Sequence, residues 1–250
     1  MSGNPEFGAC LTRLLVRRDL DPAALGSGEG GRLGLRAVLG GAAPGPALLS
    51  WLGPELRMRV PDLYVIAGLE VPQRLAPLEA PAGWEAARLA MHAGQLGQER
   101  VTGLLELART LPQQDRAAPF PPPRDYERYP PGFGGVLMRM MAARNLDWLA
   151  SAVVMAAMSA GRVYWSAATF GQVGRGHKEV TPAVLPVFAA ALGLPAGDLA
   201  VLAGMNLPQG PGTSPTPSAG TVAELLWETR RLTAGQVKIL RGQAKAMRPH

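Results

Sequence analysis

Apolar residues recur along this chain at three- and four-residue spacing, and no segment sustains the strict alternation of a half-buried strand. Leu11, Leu14 and Leu15, closed by Arg18, mark a first helix. Asp21–Pro22 has the form of an N-cap followed by Pro, which predicts a short second helix, cut off by Gly26, Gly28, Gly30 and Gly31. Arg32–Leu39 carries Leu35 and Val38 three apart and stops at Gly40–Gly41. Pro46 opens a fourth helix with Leu48, Leu49 and Leu52 as its apolar face. Asp62–Ala67 is a short fifth, and Trp84–Leu111 has the pattern of an amphipathic pair broken near Gly94–Gly97. The second half repeats this order. It predicts helices at Phe133–Ala143, at Trp148–Met158 behind the cap Asp147, and after Ser166, where Phe170 and Val173 share a face. Pro182–Leu192 and Asp198–Ala203 come next; after a Pro/Ser/Thr-rich break at 208–218 come Val222–Leu232 and Thr233–Met247. The fold class is all-α.

The repetition is also one of residues. FGACLTRLLVRRDLD (7–21) returns as FGGVLMRMMAARNLD (133–147) with seven of fifteen positions identical, where unrelated segments share about one. DLYVIAGLEVP (62–72) returns as DLAVLAGMNLP (198–208) with six of eleven identical, and LGQERVTGLLELA (96–108) aligns with LTAGQVKILRGQA (232–244). Three blocks in one order predict two copies of a helical module, 7–112 and 133–250, the second longer by about ten residues. The segment between them, 113–132, holds three successive prolines and a further pair, a composition that favours extended chain and predicts a Pro-rich linker. Its Tyr126 and Tyr129 either dock on a module or stay solvated.

Composition adds charge asymmetry. The net charge is +6, and residues 133–250 account for all of it, with 11 Lys/Arg against 5 Asp/Glu; residues 1–112 hold 11 of each. A neutral half beside a basic one predicts that one half meets a polyanion. The single Cys10 allows no internal disulfide and fits a reducing, cytoplasmic setting. No leader pattern opens the sequence, and the uncharged run between Asp147 and Arg162 is short for a bilayer, so no membrane partner is expected. The bias to Ala, Gly, Pro and Arg is that of a high-GC bacterial genome. His92, His177 and His250 stand apart without Cys or carboxylate at metal spacing, and no nucleophile, phosphate-loop or dinucleotide motif occurs. Enzyme, metal and cofactor functions therefore have no residues to rest on. The cluster Met138, Met140, Met141, Met155 and Met158 falls at helical spacing and reads as core.

The most informative stretch is SAATFGQVGRGHKEVTP, 166–182. Ser166 caps a short helix, Phe170 and Val173 anchor it, and Arg175–Gly176 ends it before a helix begun at Pro182. This spacing resembles the recognition helix of the Xre/Cro-like (phage-repressor-type) helix-turn-helix. Five short helices in this order resemble that domain in each copy, and YERYPPG, NLDW, VGRGHKEVTP and LPAGDLA resemble the tandem helix-turn-helix regulators of high-GC bacteria. The resemblance implies a transcriptional regulator that binds double-stranded DNA. Two features depart from it: the second copy has extra residues, Ser159–Trp165, before its third helix, and Gly174 stands where the family often has an acidic residue.

The residues expected at DNA are Ser166, Ala167, Thr169 and Gln172 for the groove, where Gln pairs with adenine, and Arg175, His177 and Lys178 for phosphates. Lys238, Arg241 and Lys245 form a basic stripe on the last helix, beside the apolar stripe of Val237, Leu240, Ala244 and Met247. No acidic residue follows Glu228, so the stripe is expected to be unneutralised and to run along the DNA backbone. The first copy, with only Arg32 and Arg36 as long polar residues on its third helix, is expected to be mainly structural. Beside DNA, a protein partner or a homodimer stays open. The alternative function is a protein-interaction scaffold that keeps the fold without binding DNA.

Overall fold

The computed structural model describes residues 7–25, 29–207 and 213–248, the side chain of Glu29 excepted. Gly26, Gly28, the first part of the 208–218 break and His250 lie outside the described residues. The described chain is all-helical: α1 (Phe7–Arg17), α2 (Glu29–Leu39), α3 (Pro46–Glu55), α4 (Val60–Ile66), α5 (Ala82–Ala93), α6 (Gln98–Thr110), α7 (Phe133–Ala142), α8 (Trp148–Met158), α9 (Ala167–Gly174), α10 (Leu185–Leu192), α11 (Ala196–Ala203), α12 (Ala219–Thr229) and α13 (Ala234–Ala246), with no strand. Among the described residues no single helix is long and apolar enough to cross a membrane.

Local chemistry sets the boundaries. Asp147 caps α8 by accepting from Ala150 N at 2.8 Å, and Thr233 and Gln236 form a reciprocal capping box at α13. Gly193 ends α10 in the left-handed conformation, φ 66°. One predicted helix is absent. Asp21–Pro22 opens only a turn, in which Asp21 Oδ1 accepts from Ala23 N at 2.8 Å, so the Asx side chain competes with helical pairing. The next helix then begins earlier than its apolar spacing suggested and includes Gly30 and Gly31. Gly31 is tolerated for a packing reason: a Cβ there would lie 2.5 Å from the Trp51 ring.

The described chain forms two compact units, each built from two separate stretches of sequence. One unit is residues up to Leu75 together with Gly197–Asn206, and the other is Ala76–Ala196 with the chain from Leu207 onward. In the smaller unit α1 packs on α2, α2 on α3 and α3 on α4, burying Leu11, Leu14, Leu15, Leu35, Leu49, Leu52 and Leu63. Gly8 in α1 sits against the Val38 carbonyl, 2.2 Å from where a Cβ would be. Asp198, at the start of α11 and 2% exposed, is held by Arg18 (Nε to Oδ2, 3.0 Å) and Arg17 (3.6 Å), while Arg18 Nη1 donates to the Leu56 carbonyl. The buried carboxylate thus fixes α11 to α1 and explains why this stretch of the second copy belongs to the smaller unit.

In the larger unit α5 is central, packed by α13, α8 and α12, while α6 packs on α12 and α13. Helices from the first half of the sequence are therefore paired with helices from the second, α5 on α13 and α6 on α12. Val101, Leu104, Leu225, Leu226, Val237 and Leu240 are buried there. The five methionines named above are also buried. The end of α6 and the start of the 113–132 segment are tied down: Arg231 donates to the carbonyls of Leu111 and Ala108, Gln236 to Pro112, and Arg116 to Ala76 and Pro77. Gly134 in α7 repeats the close approach of Gly8, with a Cβ 2.0 Å from the Val173 carbonyl.

Gly134→Ala is expected to destabilise the chain by about 2–3 kcal/mol, because backbone must move to admit a methyl group. Gly103→Ala, helical with nothing within 4 Å, is expected to stabilise it by about 0.5–1 kcal/mol. Urea unfolding midpoints of the two variants against the parent check both signs.

Candidate nucleic-acid interface

Ser166 begins α9 as the sequence suggests. Its backbone is extended, φ −70° and ψ 158°, and its Oγ accepts from Thr169 N at 3.3 Å and lies 3.0 Å from Thr169 Oγ1. Phe170 and Val173 are fully buried. Phe170 sits edge-on to Trp165 (5.7 Å between centroids) and Phe188 (6.1 Å), and Trp165 also meets Phe188, so three rings seat the helix. Ser166 and Gln172 are exposed with Ala168; Ala167 and Thr169 are half-buried.

A third side of α9 is made of glycine. A Cβ on Gly171 would lie 2.7 Å from the Trp148 ring, and one on Gly174 would lie 2.3 Å from the Tyr129 ring. Only bare backbone lets both rings approach. Trp148 Nε1 donates to Tyr129 Oη at 2.6 Å, and Tyr126 meets Trp148 edge-on at 4.9 Å. The tyrosines of the 113–132 segment are therefore docked, and the end of that segment is part of the site. Gly174 is where Tyr129 packs. Burial, the largest influence, pushes the Tyr129 phenol above its ordinary pKa, against the opposing hydrogen bond from Trp148. Arg139 on α7 is half-buried with Nε unpartnered; burial pulls its pKa down and the nearby Tyr129 pushes it up.

The cationic candidates split. Arg175 lies over the Trp148 ring at 5.1 Å and its Nη2 reaches the Tyr126 carbonyl at 3.4 Å; Lys178 lies over Trp165 at 5.4 Å. Both cations thus flank α9 on aromatic platforms, and His177 is exposed beside Lys178. The extra residues between α8 and α9 form a defined turn. Ala160 and Gly161 take positive φ, 51° and 78°; Ser159 Oγ accepts from Val163 N at 2.8 Å; and Tyr164 projects into solvent, 86% exposed, between buried Val163 and half-buried Trp165.

The α13 stripe differs from expectation. Lys238 and Lys245 are exposed, but Arg241 pairs with Glu85 of α5 at 3.0 Å. The neutralising acid comes from the other sequence copy, so counting acids along the second copy missed it. α13 packs on α5 and α6 whereas α9 packs on α7 and α8, so Lys238, Arg241 and Lys245 belong to a different helical layer from Ser166–Lys178. Reasoning from sequence also missed Tyr129, Trp148 and Trp165 as members of the site. The available signal was Gly171 and Gly174 three apart, one turn of bare backbone on one side of a helix. Comparison with protein-family models, with curated proteins and with solved structures finds no match to this chain.

Tyr129→Phe is expected to cost about 1–2 kcal/mol, since Trp148 Nε1 loses its acceptor, and to change tryptophan emission. The folded-state pKa of Tyr129 is raised, so its contribution is intact below the ordinary value of 10.0 and is lost as pH climbs through the raised one. Parent stability should therefore fall above about pH 10 more steeply than that of Tyr129→Phe in paired urea titrations.

Proposed function

We propose that the chain is a transcriptional regulator that binds double-stranded DNA with α9 in the major groove. The observation that carries this reading is the division of labour around one short helix. Phe170 and Val173 are sunk in the core, the glycine side is clamped by Trp148 and Tyr129, and Ser166 and Gln172 are left in solvent, with Arg175 and Lys178 following at the helix end. A rigidly held helix with one polar face fits base readout, and cations at its end fit phosphate contacts that set its orientation.

We further infer two copies of a helix-turn-helix module. Two internal equivalences support it: the approach of Gly8 to the Val38 carbonyl matches that of Gly134 to Val173, and the bond from Arg18 to the Leu56 carbonyl matches that from Arg144 to Leu192. On this alignment the positions of Ser166, Thr169, Gln172 and Arg175 are occupied in the first copy by Gly31, Gly34, Ala37 and Gly40. The first copy then lacks a reading face, and its α2 presents Leu33 to solvent, 66% exposed. That apolar surface favours a scaffold role for the first copy, with a protein partner or a second chain as its ligand.

The test is a gel shift of the full chain on the DNA around its own gene, followed by selection of preferred sequences. Gln172→Ala is expected to change which bases are preferred, with discrimination at one position falling by about 1–3 kcal/mol. Lys178→Ala is expected to weaken all sequences alike and to lower the log–log salt slope by about 0.9. Parent-like binding by both variants sinks the assignment, and no retarded band for the parent leaves the scaffold reading for the whole chain.

A further inference from the structure

Among the described residues His92 is the one histidine taken out of solvent, 8% exposed on α5, and its Nδ1 is sealed without a hydrogen-bond partner. Its electrostatic surroundings are one-sided. The charges that act on it are, in order, Arg248, Arg241, Lys245 and Arg88, all cationic. One carboxylate, Glu85, stands in the cluster, and it is already shared by Arg241 at 3.0 Å and Arg88 at 3.8 Å. That ion pair is itself incomplete, since Arg241 Nη1 and Glu85 Oε2 are buried and not aligned for a hydrogen bond. Lys245 and Arg248 are exposed and have no acidic partner among the described residues. Of the other helices packed on α5, α8 carries no charged residue; α12 carries Glu224, which lies by Gly193, and Glu228, which is bonded to Arg231 at 3.0 Å.

The matching half of the bundle shows that the fold does not require this. Where α12 packs on α6, the register that relates 96–108 to 232–244 places Glu228 at the position of His92, Glu224 at that of Arg88 and Leu105 at that of Arg241. There Glu228 pairs with Arg231 at 3.0 Å, and Arg109, at the position of Lys245, pairs with Glu106 at 2.8 Å. At α5 and α13 the same framework carries a surplus of cations around an unpartnered imidazole. Such a cluster costs free energy unless an anion enters it.

We propose that Arg88, His92, Lys245 and Arg248 form a binding site for a phosphate group, supplied by a DNA backbone or by a free phosphate ester. Burial first, and then the four cations, hold the pKa of His92 below its ordinary value, so the imidazole is neutral at pH 7 in the empty site. A bound oxyanion offsets those cations and so favours the protonated imidazole of His92. Occupancy and protonation are therefore linked, and binding tightens as pH falls through the His92 titration. The site stands on α5 and α13 and does not depend on α9 reading bases.

The test follows the His92 imidazole by proton NMR in the full chain, with the resonance assigned by His92→Gln. Its titration midpoint is measured in sodium sulfate, an oxyanion of constant charge over this range, and in sodium chloride at matched ionic strength. Sulfate is expected to raise the midpoint by about one unit relative to chloride, and the rise should vanish in Lys245→Ala/Arg248→Ala. Arg248→Gln alone, beyond the end of α13, is the fallback should the double variant lose helicity, and it should roughly halve the effect. A midpoint that is the same in both salts, or a rise that survives these substitutions, overturns the proposal. With the sulfate effect established, a short duplex that also raises the midpoint identifies a backbone phosphodiester as the ligand. A silent duplex identifies a free phosphate ester, and this outcome is independent of the gel shift.

Discussion

The larger unit depends on the burial of α5 against α13 on one side and α8 on another. α5 comes from the first half of the sequence, and both of its partners come from the second. Ala86, Ala87, Ala90 and Ala93 are buried along it. Small side chains let its neighbours come close: a Cβ on Gly94, just past its end, would lie 3.1 Å from the Ala157 carbonyl of α8. Close helix–helix packing of this kind is intolerant of displacement. It fixes α8, and α8 carries Trp148, the ring that covers Gly171. The position of α9 is thus inherited from packing that begins in the other half of the sequence.

Helix periodicity and caps made most of the fold legible. Trp148–Met158 matches its sequence boundaries because Asp147 is an unambiguous cap and Arg162 ends a long apolar run. The helix expected after Asp21 does not form, although the same Asp–apolar pattern works at Asp147. At Asp21 the following residues are Pro22 and, soon after, glycines, which leave too little buried apolar surface to offset the entropy of ordering a short helix. Pairing between the copies was not legible. Leu104 and Leu240 declare an apolar face, but nothing in periodicity says which other face will cover it.

At the candidate site the inward anchors Phe170 and Val173 and the cap Ser166 could be read directly from spacing. The aromatic clamp could not, because Tyr129 and Trp148 come from elsewhere in the chain and the only local sign of them is an absence of side chains on α9. The same limit applied to charge. Arg241 belongs to a periodic basic stripe, yet it pairs with Glu85, far away in sequence, while His92 acquires cationic neighbours from a part of the chain more than a hundred residues later.

The exchange of trailing helices has a consequence for concentration. Two separate modules could bury α5 on α13 and α6 on α12 only by associating, and that association would weaken on dilution. Here the 113–132 segment makes the pairing intramolecular; Arg231 and Gln236 hold the chain just before it, and Arg116 holds its start. The four-helix arrangement therefore persists in a cell that contains a single copy of the chain.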